Sequence, residues 1–240
     1  MGNLQCLVTV VSSHTVDVFP GMNGQPGREV PGGPARYIVE ALTRLGCRSQ
    51  VITGDVVRVE VVPTSSGEEY VIPPVALIEL PESLPGEAVI LSPVMEEINP
   101  SNLPAVSGLL VVDLQGFVRQ PNRQSGQVNA SFELSGLLRR ASVVKASSRE
   151  IELLSEASKD VLQSSVLVVT HGSEGAVIQS PDGRWEIAAR PVPASNTVGA
   201  GDTFLAAFVC ELLQGKSPVD AGQAAARFTE SLLRQRVPAG

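Results

Sequence analysis

Cysteine and histidine are scarce in this 240-residue chain, with three of the first and two of the second. Cys6, Cys47 and Cys210 are odd in number and set in apolar segments, so they read as reduced core residues rather than as a disulfide framework or metal site. Two histidines argue against a His-based metal centre. Basic clusters are missing as well, and the net charge is −7, so no nucleic-acid partner is expected. No apolar run approaches the ~18 residues of a membrane span, so no membrane partner is expected either. The first residues lead into a strand without a basic n-region; no signal peptide is expected, and the location expected is cytoplasmic.

What remains is the material of one α/β domain over residues 1–240, long enough for a well-buried core and too short for two large ones. Hydrophobic residues make up 43% of the chain and fall into alternating strand and helix patterns. Residues 4–11, 88–92, 108–113, 143–146 and 165–170 are near-continuous apolar runs, as expected of strands buried on both faces. Residues 48–54 read as a further strand, and 176–187 as a hairpin turning at Pro181-Asp182-Gly183. Helices are expected from about Ala35 to Leu45, with Gly46 as the stop, for a short stretch from Glu96, and from about Pro218 to Leu233. Residues 12–17, after the first strand, read as loop, and residues 20–34 are rich in Pro and Gly. Between Asp55 and Pro85, the segments 56–62, 69–72 and 75–80 suggest short strands of a small β element at about 56–84.

The chemistry concentrates in residues 195–208, Ser-Asn-Thr-Val-Gly-Ala-Gly-Asp-Thr-Phe-Leu-Ala-Ala-Phe. Phe204, Phe208 and Leu212 recur every four residues, as do Leu205, Val209 and Leu213, giving a helix with two adjacent apolar stripes. Gly199 and Gly201 let backbone N–H groups converge with no Cβ in the way, at the positive end of the helix dipole. Gly199, Ala200 and Gly201 are therefore an expected anion hole. Asp202, in the first turn, would repel a bound phosphate unless it has a task there; the task inferred is that of general base beside a phosphoryl group. The bland alternative is a dipole-complementing Asp after ordinary glycine punctuation. Gly32-Gly33 before the first helix again invites close approach by a ligand. Gln115 and Arg119 leave a strand at its C-terminal end, where open α/β sheets bind ligands. Gly215-Lys216-Ser217 imitates the end of a phosphate-binding P-loop, but Cys210 stands where that motif needs Gly, and the triplet follows a helix; it reads as a helix stop and the next helix's cap.

The string Asn-Thr-Val-Gly-Ala-Gly-Asp, three residues, then Ala-Ala-Phe-Val resembles the C-terminal signature of the PfkB, or ribokinase-like, carbohydrate kinases. The resemblance can be laid along most of the chain, and Gly-Gly-Pro-Ala is similar to its short members, which include inositol kinases. It implies a mostly parallel sheet flanked by helices with a reduced β lid, which sometimes pairs with a second subunit's lid, so that a homodimer through the lid is an open expectation. It implies ATP and Mg2+ as donor and metal, and a hydroxyl of a small polyol, such as a sugar or inositol, as acceptor. Asp17, Gly32, Gly33, Arg36, Gln115 and Arg119 fall on the substrate side. Ser147, Thr170, Gly172, Gly175, Asn196 and Thr197 fall on the nucleotide side. Glu150 would hold magnesium through water, although Ser147-x-x-Glu150 equally matches a capping box. Two departures stand out: Tyr37 where many members carry Asn, and Asn196 where most carry Asp. A nucleoside or vitamin kinase of the same fold, or a non-catalytic nucleotide- or sugar-binding relative, remain the alternatives. A nucleoside site would call for aromatic lining, and the chain has nine aromatics in all.

Overall fold

The computed structural model describes residues 6–21, 26–64, 67–119, 131–190, 192 and 197–236. In chain order, β1 (Leu7–Val11), β2 (Thr15–Phe19) and β3 (Arg28–Gly32) precede α1 (Pro34–Arg44). Then come β4 (Arg48–Ile52), β5 (Val57–Thr64), β6 (Gly67–Val71), β7 (Ser83–Leu84), β8 (Ala88–Leu91), β9 (Ala105–Val106) and β10 (Leu109–Asp113). The short helices α2 (Gln115–Val118) and α3 (Ser135–Leu138) lead to β11 (Val143–Ser147), α4 (Ser148–Glu152), α5 (Glu156–Leu162) and β12 (Val166–Thr170). The hairpin β13 (Gly175–Ser180) and β14 (Gly183–Ala188) precedes α6 (Ala200–Leu213) and α7 (Pro218–Gln235).

Eight strands form the main sheet in the order β14-β13-β12-β11-β10-β8-β1-β4; the six from β12 to β4 run parallel and the hairpin is antiparallel. The apolar runs predicted a sheet covered on both faces, and it is. One core, built on Val8, Ile90 and Val168, packs against α1, α6 and the α7 face. The other, built on Val89, Val112 and Leu167, packs against α2, α3 and α5. Burial encircles α6 from Thr203 to Cys210 instead of following one stripe, because α1 and α7 flank it while the sheet lies beneath. The three cysteines are free and buried, with Cys47 Sγ 2.9 Å from Cys210 Sγ. Burial pushes the Cys6 thiol up to about 12.

A second sheet, β3-β2-β5-β6, stands beside the carboxyl ends of the parallel strands. Its inner face follows strand alternation: Val57, Val59 and Val61 are buried while Arg58 and Glu60 are exposed. Asp17 is registered opposite Val59 and Thr15 opposite Val57, so both polar residues share that inner face. Moving this register by one residue would turn Asp17 outward.

Three local expectations are corrected. The loop expected at residues 12–17 carries the start of β2, which pairs with β3 from the Pro- and Gly-rich stretch. Pro31 is tolerated because β3 is an edge strand, and the pairing of β2 with β5 is too remote in sequence for a local pattern to show. Residues 75–80 form no strand; the Ile78 N–H donates to the Glu97 carbonyl instead of to a neighbouring ladder. No helix follows Glu96, which has φ 53, because the Glu97 side chain accepts the N–H groups of Val94 and Met95 and so competes with helical bonding.

Candidate active site

The N-terminus of α6 faces the carboxyl ends of β10 and β11. Gly199 is its N-cap in the left-handed region, φ 74, and the Tyr37 ring occupies the space a Cβ there would need. The Thr203 N–H donates to the Gly199 carbonyl at 2.9 Å and starts the helix; the Ala200 N–H donates to the Thr197 carbonyl at 3.1 Å. Gly201 and Asp202 follow at the second and third helical positions, whose N–H groups have no acceptor within the helix itself. The turn is braced from α1 and α7: Arg236 donates to the Val198 carbonyl at 2.8 Å, and its guanidinium lies 5.1 Å from the Tyr37 ring centre.

Beneath this turn lies a charged cluster that the sequence reading did not single out. Lys145, in the middle of β11, is buried and pairs with buried Asp113 at the end of β10, Nζ to Oδ2 2.9 Å. Asp113 also accepts from Ser92 Oγ at 3.1 Å and from the Gln115 N–H at 3.3 Å. A Cβ placed on Gly201 would lie 3.3 Å from Lys145 Nζ, so the ammonium sits against the bare backbone of the first turn. Burial opposes the lysine's charge, but Asp113, Asp202 and Glu150 outweigh it and hold its pKa above the ordinary value. Asp202 is pushed up to about 6, first by burial; Lys145 and Arg119 pull it down, and Asp113 and Glu150 push it up. Burial and Asp113 raise Glu150, offset by Lys145 and by bonds from Ser147. Burial lowers Arg119, against the carboxylates of Glu150, Asp113 and Asp202.

Two cavities meet at this point. The smaller, about 250 Å³, is lined by Asp17, Gly33, Tyr37, Gln115, Arg119, Lys145 and residues 197–202 of the turn, together with Val59, Tyr70 and Ile72 of the lid sheet and its margin. The larger, about 470 Å³, lies between the β13–β14 hairpin and α7, and includes Thr170, Gly172, Gly175 and Thr197. Thr197, Ala200 and Gly201 line both. The arrangement places an acid with a near-neutral pKa, a helix N-terminus and a buried lysine at the junction of two ligand-sized spaces.

Most of the expected site residues are thus brought together: Asp17, Gly33, Gln115, Arg119 and Asp202 around one cavity, Thr170, Gly172 and Gly175 around the other, and Thr197, Ala200 and Gly201 between them. Gly199 lines the smaller cavity. Gly32 lies under the Asp17 carboxylate, whose atoms would be 2.2–2.5 Å from a Cβ at that position, and Asp17 also accepts from Thr15 Oγ1 at 2.7 Å. Arg36 lines neither cavity; it is exposed and donates to the Pro31 carbonyl. Ser147 and Glu150 also lie outside both linings and form the capping box of α4, Ser147 N to Glu150 Oε2 2.7 Å and Glu150 N to Ser147 Oγ 3.3 Å. Asn196 falls outside the described residues. Lys145 had one sequence signal: a charge inside an otherwise apolar strand needs a buried counter-charge.

The sequence model described as pfkB family carbohydrate kinase matches residues 116–235. No relative is found by sequence among the curated proteins. Among solved structures, a pyrophosphate-dependent kinase in the ribokinase family, complexed with a pyrophosphate analog and myo-inositol, is 20% identical with a TM-score of 0.71, covering 95% of each chain. The Methanocaldococcus jannaschii nucleoside kinase is 15% identical with a TM-score of 0.69, over 99% of this chain and 96% of that one. The Salmonella enterica aminoimidazole riboside kinase, complexed with aminoimidazole riboside and an ATP analog, is 17% identical with a TM-score of 0.65, over 95% and 93%. At these identities the likeness is one of fold, and the fold is ribokinase-like.

Proposed function

The chain belongs to the pfkB family of carbohydrate kinases, and on that premise we propose that it transfers the terminal phosphoryl group of ATP to a hydroxyl of a small polyol, a sugar or a cyclitol such as inositol. The observation that carries this reading is the meeting of the two cavities at the first turn of α6, beside Asp202. In the smaller one the Asp17 carboxylate accepts from acceptor hydroxyls, Gln115 and Arg119 add polar contacts, and Asp202 takes the proton of the attacking hydroxyl. The N–H groups of Gly201 and Asp202, with the Lys145 ammonium behind them, stabilise charge on the transferring phosphoryl, whereas the Ala200 N–H expected in the anion hole is given to the Thr197 carbonyl.

The larger cavity favours ATP over pyrophosphate. Ala176, Ile187, Phe204, Ala226 and Leu233 give it apolar walls that a nucleobase would fill and pyrophosphate would leave empty. Magnesium would be brought with the donor phosphates. Such an ion keeps most of its waters and takes few carboxylates. Glu150, with one oxygen in the capping box, is the carboxylate that would face those waters.

One observation supports a nucleoside as second acceptor reading: Tyr37 and Tyr70, two of the nine aromatics, line the smaller cavity. The test is turnover of ATP and of pyrophosphate against a panel of inositols, hexoses, pentoses and nucleosides. Turnover of a cyclitol or sugar with ATP is expected; a nucleoside as sole acceptor, or turnover with pyrophosphate alone, would replace the corresponding half of the proposal. Gly32→Ala gives a second check. Its methyl would overlap the Asp17 carboxylate, and displacing that group is expected to raise the acceptor KM about tenfold while leaving the ATP KM unchanged. Dimerisation through the lid belongs to the same reading, since β6 is an edge strand with exposed Tyr70 and Val71. Sedimentation would then report a dimer, and Val71→Lys, on the outward face opposite Glu60, a monomer.

A further inference from the structure

Glu97 is fully buried, in a loop with no expected function. Its carboxylate accepts three backbone N–H groups: Val94 at 2.7 Å and Ser13 at 3.2 Å on Oε1, and Met95 at 2.6 Å on Oε2. Among the described residues it makes no ion pair, so its charge is held by backbone dipoles alone, a strong and directional arrangement. Ser13 follows β1 and Val94 follows β8, so one side chain ties together the carboxyl ends of two neighbouring parallel strands. Its own carbonyl accepts the Ile78 N–H at 2.8 Å, which adds the strap between the two sheets to the same node.

What makes this more than loop closure is where the fixed atoms lead. Val94 lines the smaller cavity, and its carbonyl accepts from Arg119 Nη1 at 2.9 Å. Val94 and Met95 also pack with Val57, Val59 and Ile72, three apolar residues under the lid sheet. We propose that Glu97 is a positioning residue for acceptor recognition: by fixing the Val94 peptide it holds the Arg119 guanidinium in the acceptor cavity and keeps the cavity wall in register with the lid. The proposal rests on the reading of Arg119 as an acceptor contact. A carboxylate suits this task because three convergent N–H groups need an acceptor with several lone pairs, and neither an amide nor an apolar side chain supplies them.

The first test needs no acceptor. In Glu97→Gln, phenylglyoxal should modify Arg119 several-fold faster than in the wild type, read by peptide mass spectrometry, with Arg236 unchanged as the internal control. The second uses the acceptor that turns over in the panel. Its KM should rise about tenfold, the loss of one charge-assisted contact, with kcat and the ATP KM little changed. In an Arg119→Met background Glu97→Gln should raise that KM no further, whereas a general loosening of the fold would add to it. Should Glu97→Gln prove insoluble, Glu97→Asp, which keeps the charge and shortens the reach, carries the same comparisons. Unchanged Arg119 reactivity overturns the proposal, as do additive KM effects or a fall in kcat at constant KM. Faster modification with an unchanged KM overturns the recognition role. A wild-type protein that turns over nothing in the panel defeats the kinase reading instead, and the phenylglyoxal comparison still judges whether Glu97 holds Arg119.

Discussion

Asp202→Asn is expected to lower kcat by a factor of about 10²–10⁴, the usual contribution of a positioned proton acceptor, while ATP still binds. The substitution keeps the size of the side chain and removes only the ability to take the proton. In the wild type the same group sets the pH dependence. With its pKa at about 6 in the unliganded protein, the reactive, ionised form predominates above that pH, so kcat/KM should climb through pH 6 to a plateau and fall about tenfold per unit below it. The variant should lack this limb. Wild-type and variant turning over alike would remove Asp202 from the mechanism. The variant also carries a stability signature. Because the folded pKa of Asp202 lies above its unfolded value, protonation favours the folded state; that contribution is full below about pH 4 and lost as pH rises through about 6. Asp202→Asn should therefore match the wild type in acid and exceed it at neutral pH, by on the order of 2 kcal/mol, in denaturant titrations at the two pH values.

Lys145→Met is the substitution with the largest expected effect on stability. It leaves Asp113 buried with, among the described residues, only the Ser92 hydroxyl and the Gln115 N–H as hydrogen-bond donors, and stranding one member of a buried pair costs about 3–5 kcal/mol. Adding Asp113→Asn should return much of that loss, because the uncompensated charge is then gone. Activity should respond differently. Lys145 is the largest favourable charge acting on Asp202, so its removal should move the acid limb of kcat/KM to higher pH, and the double variant should not restore the rate. Lys145→Met within about 1 kcal/mol of the wild type would show that the pair matters little to the fold.

The parallel strands and the last two helices were legible in the sequence because their signals are local. β1, β8, β10, β11 and β12 are apolar runs, and α6 and α7 are bounded by Gly199, Gly215 and Ser217. The Ser147-x-x-Glu150 spacing was legible as a capping box for the same reason. The lid was read only in part. The segments that became β5 and β6 carried strand-like patterns in the sequence, but β2 and β3 are short, polar or interrupted by Pro31, and pairing with β5 supplies what their own residues do not. In the site, Asp202 and the glycines announced themselves because helix-start chemistry is written in consecutive residues. Lys145 and Asp113 did not, since their partnership spans 32 positions and exists only once β10 and β11 lie side by side. Arg36 lies on the right helix but on its outer side, a distinction that depends on how α1 is rotated against the sheet.

The two cavities have separate owners. The walls of the smaller come mainly from the lid sheet, α1 and the loops after β8 and β10, and those of the larger from the hairpin, α6 and α7. Among the described residues they hold in common only Thr197, Ala200 and Gly201, near the start of α6. Such a layout is modular. Grafting another chain's residues onto the lid should retarget the acceptor without disturbing the donor, and reshaping the hairpin and α7 should exchange one donor for another. The first turn of α6 would serve both halves unchanged, as the one piece that neither exchange can replace.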